Sequence, residues 1–94
     1  MIGSEYFFDE QKNATLKRER GIGFEEIIAL IEGDGLLEVI DHHNSEKYQN
    51  QKIYIVDVGG YICLVPFVRT GNEVFLKTIY PSRKATKEYL AKKE

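Results

Sequence analysis

The stretch "KIYIVDVGGYICLVPFVR", residues 52–69, decides the fold. Two runs of β-branched and aromatic residues flank Gly59-Gly60, a pair that tolerates the positive φ angles of a two-residue hairpin turn. The spacing predicts antiparallel strands over "KIYIVDV" and "YICLVPFVR". Pro66 interrupts the second run and brings no backbone N–H, so it implies a bulge or a local edge there. Upstream, "LLEVID" (residues 36–41) reads as a strand, followed by the polar loop "HHNSEKYQNQ". Downstream, "TGN" turns the chain into "EVFLKTIY" (residues 73–80), a fourth strand. Pro81 and Ser82 then end the sheet, and one of them starts a last helix.

Before Leu36 the period is that of a helix. "FFDEQKNATLKRERG" has a cap candidate in Asp9, acidic Glu10 in its first turn and basic residues before Gly21, charges that suit the helix dipole. In "GFEEIIALIEG", Phe24, Ile27, Ile28 and Ile31 fall at i, i+3, i+4 and i+7, one apolar stripe ended by Gly33. Gly21 to Gly23 leave only a tight connection between these two helices. The expected architecture is α+β: two N-terminal helices, a four-stranded antiparallel meander and a C-terminal helix. The apolar stripe needs one sheet face to bury against, which gives two layers and leaves the other face free to meet water. Lys52, Tyr54, Val56 and Val58 share one face of their strand, and Phe75, Lys77 and Ile79 share one face of theirs.

Ninety-four residues, 43 % apolar and 30 % charged, fit one globular domain spanning residues 1–94. No apolar run approaches a membrane span, and "MIGSEYFFDE" lacks the basic-then-apolar layout of a signal peptide, so no membrane partner and a cytoplasmic setting are expected. The lone Cys63 lies among Ile62, Leu64 and Val65 and reads as a small core hydrophobe. The net charge of −2 hides an asymmetry: residues 1–51 carry five Lys/Arg against eleven Asp/Glu, and residues 52–94 carry eight against four. A basic half on an acidic molecule argues for a localised anion-binding surface, or else for charges scattered over solvent faces.

The basic set is Lys52, Arg69, Lys77, Arg83 and Lys84. Arg83 falls in the first turn of a helix, where backbone N–H groups favour an anion and a cation does nothing for the dipole. Tyr48, Tyr54, Tyr61 and Tyr80 interleave with these cations, as stacking residues do in single-stranded RNA sites or as packed strand tyrosines do. His42 and His43 point opposite ways on an extended chain, so no metal set is expected, while one ring could serve as a general acid or base or else cap a turn or stand exposed. No Ser/His/Asp set stands out, and Gly59-Gly60 lacks the context of a phosphate loop.

Three motifs in order resemble the BrnT-type toxins of type II toxin–antitoxin systems. "FFDEQK…ERGIGFEEI" is similar to that family's opening through Phe7, Asp9, Lys12, Gly21, Ile22, Phe24, Glu25 and Glu26. "DHHNSEKYQNQKI" resembles its middle segment through Asp41, Tyr48, Asn50 and Lys52, and "YPSRKATKEYL" its ending through Arg83, Lys84, Ala85 and Thr86. The chain departs from the family at Asn50, where an acidic residue stands, and at Lys52 and Thr78, where arginines stand. A Lys-His pair also gives way to Glu19-Arg20. The resemblance implies a RelE-like fold and a cofactor- and metal-independent endoribonuclease acting on messenger RNA. It also implies a ribbon-helix-helix antitoxin, operator DNA bound through the toxin–antitoxin complex, and a homodimer or a heterotetramer with the antitoxin. Lys52 and Arg83 would be phosphate-facing cations and Tyr48 an edge or stacking residue. With the basic set, the expected catalytic residues are Lys52, Arg83, Lys77 and His42, and the expected RNA-contacting residues are Tyr48, Arg69, Lys84 and Tyr80. The alternative is a binding module of the same fold that docks an antitoxin or nucleic acid without cleaving it.

Overall fold

The computed structural model of the chain describes residues 5–41 and 51–92. Along them run β1 (Glu5–Phe7), α1 (Glu10–Arg20), α2 (Phe24–Glu32), β2 (Leu36–Asp41), β3 (Gln51–Val58), β4 (Tyr61–Thr70), β5 (Glu73–Leu76), β6 (Tyr80–Pro81) and α3 (Arg83–Lys92). The class is α+β, as expected, with three helices around one sheet. The sheet follows the order β1-β5-β4-β3-β2, with β6 pairing to β4 beyond the end of β5.

The hairpin at its centre forms as the glycine pair requires. Gly59 and Gly60 adopt φ of 61° and 94°, and the Gly60 N–H is held by Asp57 Oδ1 at 2.8 Å. A two-residue turn leaves no slack in register, so Val58 faces Tyr61 and the pairing runs unbroken to Gln51 opposite Val68.

Three expectations are corrected, two in the sheet and one in the layering. The sheet is mixed rather than an antiparallel meander, because β1 enters it parallel to β5, Glu5 opposite Glu73 and Phe7 opposite Phe75. Three residues are too few to show a period of two, so this strand escapes a pattern-based reading. The expected last strand also breaks in two. β5 pairs with Phe67–Thr70 of β4, and β6 pairs only with Cys63 and Leu64. Pro66 sits at the gap. The N–H and C=O of one strand residue point to the same neighbour, so Pro66 can offer that side its carbonyl alone, which takes the Lys77 N–H at 2.8 Å. Its other neighbour, Ile53 of β3, is unaffected. Past this point the parity slips, and Thr78 and Ile79 are both buried in succession.

The molecule has three layers rather than two. On one sheet face, Leu16, Ile22, Phe24 and Ile27 from the helical hairpin pack on Tyr54, Val56, Cys63, Val65, Phe67, Val74, Leu76 and Ile79. On the other, Ala85 and Tyr89 of α3 pack on Ile53, Ile55 and Ile62. β3 is therefore buried on both faces from Ile53 to Val56, which explains its continuous apolar composition. Burying these side chains at about 25 cal/mol per Å² is what holds the layers together. Cys63 is buried, and that burial pushes its thiol pKa up, consistent with a packing role.

Helix ends are tied by named groups. Asp9 caps α1 by accepting the Lys12 N–H at 3.0 Å, and Ser82 Oγ accepts the Ala85 N–H at 3.1 Å at the start of α3. The start of α2 is held from outside: buried Asn13 of α1 accepts the Phe24 N–H at 2.7 Å and donates to Glu25 at 3.0 Å. A Cβ at Gly23 would come within 2.5 Å of the Lys17 side chain, which can swing aside, and 2.7 Å of Asn13 Oδ1, which is held by the Phe24 N–H, so a side chain here would push against the cap of α2.

Candidate functional site

α1 and α2 do not cover their whole sheet face. Beyond Phe24 and Ile27 the sheet surface dips into a hollow of about 690 Å³. Its floor is apolar: Ile31 of α2, Leu36 and Val39 of β2, and the Tyr54 and Phe67 rings, stacked at 3.9 Å and 12°. Its polar groups come from three strands, Tyr6 of β1, Lys52 and Tyr54 of β3, and Arg69 of β4.

Strand geometry explains why two cations meet here. Lys52 lies opposite Phe67, and Arg69 is two residues further along the same face of β4. That diagonal places their Cβ atoms roughly 7–8 Å apart, within reach of one small anion for side chains of this length. Tyr54 sits on the same face of β3, two residues after Lys52. Its pKa is raised, first by burial and then by the neighbouring Tyr6, against the hydrogen bond and charge of Arg69. At neutral pH it is therefore a neutral hydroxyl that can donate.

Lys52 Nζ also pairs with Asp41 of β2 at 3.2 Å, both side chains being more than half exposed. Exposed pairs of this kind contribute little, so an incoming phosphate can displace Asp41 at small cost. The hollow thus offers one buried-floor surface for a flat apolar group and a cationic, hydroxyl-bearing rim for an anion.

The expected residues do not all gather there. Lys52 and Arg69 share the hollow. Lys77 lines a different one, of about 770 Å³, with Lys12 and Arg18 on the outer side of α1 and with Phe75. Arg83 and Lys84 are exposed at the start of α3, where the Ser82 N–H meets Ile62 O at 2.9 Å and Ile62 N–H meets Thr86 Oγ1 at 2.9 Å. Ile62 is seven strand positions from Arg69, roughly 23 Å along β4. Lys52 and Arg83 therefore cannot grip one phosphate in this arrangement. Tyr80 is half exposed beside the Arg20 guanidinium, 6.0 Å from its ring centroid, away from the hollow. His42, Tyr48 and Asn50 lie outside the described residues. Thr78 is buried, so that position could not present an arginine to a ligand without a change in local structure.

Tyr6 is the hollow's unexpected member, brought in by the parallel β1. The signal for Tyr54 and Arg69 as partners of Lys52 was available in the two-residue turn, which fixes the register that sets them side by side. No protein-family model, no curated protein and no solved structure matches this chain.

Proposed function

We propose that the chain is a RelE-like toxin of a type II toxin–antitoxin pair, an endoribonuclease that works in the Lys52–Arg69 hollow. One observation carries this reading: two cations and two tyrosyl hydroxyls from three strands converge on a single apolar-floored hollow. The three ordered motifs that resemble BrnT-type toxins support it from the sequence side.

The chemistry asked of such a hollow is modest. The ribose 2′-oxygen bonds to the adjacent phosphorus and loses its proton to solvent. The bond to the 5′-oxygen of the next nucleotide breaks, and that oxygen takes up a proton. Charge builds on the phosphoryl oxygens, where Lys52 and Arg69 stabilise it and the Tyr54 hydroxyl donates to it. The stacked Tyr54–Phe67 floor receives a base. In the same reading the protein acts in the cytoplasm, a ribbon-helix-helix antitoxin neutralises it, and the complex binds operator DNA as a heterotetramer or through a toxin homodimer.

The test is direct. Purified protein incubated with end-labelled messenger RNA, with and without ribosomes, is expected to release fragments ending in 2′,3′-cyclic phosphate. Arg69→Ala is expected to slow this by about 100-fold, the usual effect of removing one transition-state donor. Arg83→Ala, far along β4, is expected to leave the rate near wild type. Producing the protein without its antitoxin is expected to stop growth, and unimpaired growth with intact RNA would overturn the enzymatic reading. RNA that binds at the hollow and stays whole selects the second reading, a non-catalytic module of the same fold. The distance from Arg83 to the hollow favours that alternative, because it leaves two cations rather than three for the phosphate.

A further inference from the structure

On the outer side of α1, Gln11, Lys12, Ala14, Thr15 and Arg18 form one helical stripe facing the sheet edge where β1 has ended. Lys77 rises from the chain between β5 and β6 to close this groove, and Phe75 forms its wall. Lys12, Arg18 and Lys77 are exposed, and none makes an ion pair with the described residues. Among the described residues that line the groove the one carboxylate, Asp9, is engaged as the cap of α1. Phe75 is 42 % exposed and faces Phe7, 46 % exposed, across the β1–β5 pair. Both rings belong to the part of the sheet that α3 does not reach. They line a smaller hollow, of about 320 Å³, with Val68, Thr70 and Glu73, the last at the start of β5 whereas Lys77 follows its end.

Three cations with no ion-pair partner among the described residues, beside two solvent-facing rings, are the two ingredients of a single-strand track: phosphates on the cations, unpaired bases on the rings. A hydrophobic protein partner would explain the phenylalanines alone, and a double-stranded nucleic acid would use the cations but could not reach the rings with paired bases. We propose that Lys12, Arg18, Lys77 and Phe75 form a second contact for single-stranded RNA, outside the Lys52–Arg69 hollow, that holds the strand leading to or from it. This rests on the reading of the hollow as an RNA site, and it assigns Lys77 to strand holding rather than to chemistry.

The experiment separates the two. Binding is measured by fluorescence anisotropy with a trinucleotide, which fills the hollow alone, and with a single strand of about sixteen nucleotides, which spans both. The triple variant Lys12→Gln/Arg18→Gln/Lys77→Gln is expected to bind the trinucleotide as wild type does. For the long strand, its slope of log affinity against log salt should shrink by about 2, three phosphate contacts at about 0.7 each. Phe75→Ala is expected to weaken the long strand about tenfold with the slope unchanged, and Phe75→Tyr to restore it. All four positions are exposed, so folding is checked by matching melting curves. An unchanged slope in the triple variant, or equal loss for a double-stranded probe, overturns the track and leaves the hollow standing. If Arg69→Ala abolishes trinucleotide binding while the long strand keeps its variant-sensitive slope, the track stands by itself. If wild type binds neither probe, both fall.

Discussion

Asn13 is the side chain on which the helical hairpin depends. Its amide is buried and uses both ends, carbonyl to the Phe24 N–H and NH₂ to Glu25. Gly23 has no side chain with which to cap α2, so the neighbouring helix supplies the cap instead. Asn13→Ala leaves the buried Phe24 N–H without its acceptor, and we expect a loss of about 2 kcal/mol in urea unfolding. Asn13→Asp keeps the acceptor and loses the donor, and sets a second carboxylate against Glu25, so it should be rescued in part by Glu25→Gln. Glu25 has its pKa lowered, first by Asn13 and then by Lys17. The sign follows: this contribution is present above the ordinary carboxylate range and fades as pH falls through it. Asn13 stayed hidden in the sequence because a polar residue in a charged helix reads as solvent-facing, and only the contact with α2 reveals it.

Among the elements, α3 was legible as a helix and illegible in its place. Its start was legible to within Pro81 or Ser82, between which the structure chooses Ser82 as the cap, but nothing in "RKATKEYL" says which sheet face Ala85 and Tyr89 will cover. The register of β3 against β4 was legible in Gly59-Gly60, and with it the meeting of Lys52 and Arg69. The division of β5 from β6 was half legible, since Pro66 announced an edge but not that one strand would serve two short partners. Arg83, placed by motif rather than by strand parity, went to the far end of β4. One tie fixes α3 across the sheet: the Tyr89 hydroxyl donates to Glu38 of β2. That acceptor comes first among the causes that push the Tyr89 pKa from 10.0 up to about 12. A raised pKa means the stabilisation is complete below the unfolded value and is lost as pH climbs through the folded one. Alkaline denaturation should therefore steepen between pH 10 and about 12 in wild type, and Tyr89→Phe should flatten that step while lowering stability at neutral pH.

At the scale of the molecule, the charge asymmetry resolves into separate cationic places rather than one. Lys52 and Arg69 share a hollow, Lys12, Arg18 and Lys77 share a groove, and Arg83 and Lys84 stand apart. A single basic half in the linear chain is thus dealt out over separate places: the antiparallel β3–β4 pairing brings Lys52 and Arg69 to one end of the sheet, Lys77 follows β5 into the groove beside α1, and Arg83 and Lys84 open α3 beside Ile62 near the other end of β4. Among the described residues no helix is long and apolar enough to cross a membrane.

The parallel pairing of Glu5–Phe7 with Glu73–Phe75 has a temporal consequence. During synthesis the first strand leaves the ribosome long before its ladder partner among the described residues exists, so it must wait for that pairing while the Gly59-Gly60 hairpin and the helices assemble. Local contacts close early and such distant ones late. Weakening the early strand with Tyr6→Ser should then quicken unfolding and leave the refolding rate nearly unchanged, a φ value near zero in a stopped-flow chevron. Since Tyr6 also lines the hollow, the newborn chain would hold its hairpin before that hollow is walled on all sides, and the cavity would be completed only with the last stitch of the sheet.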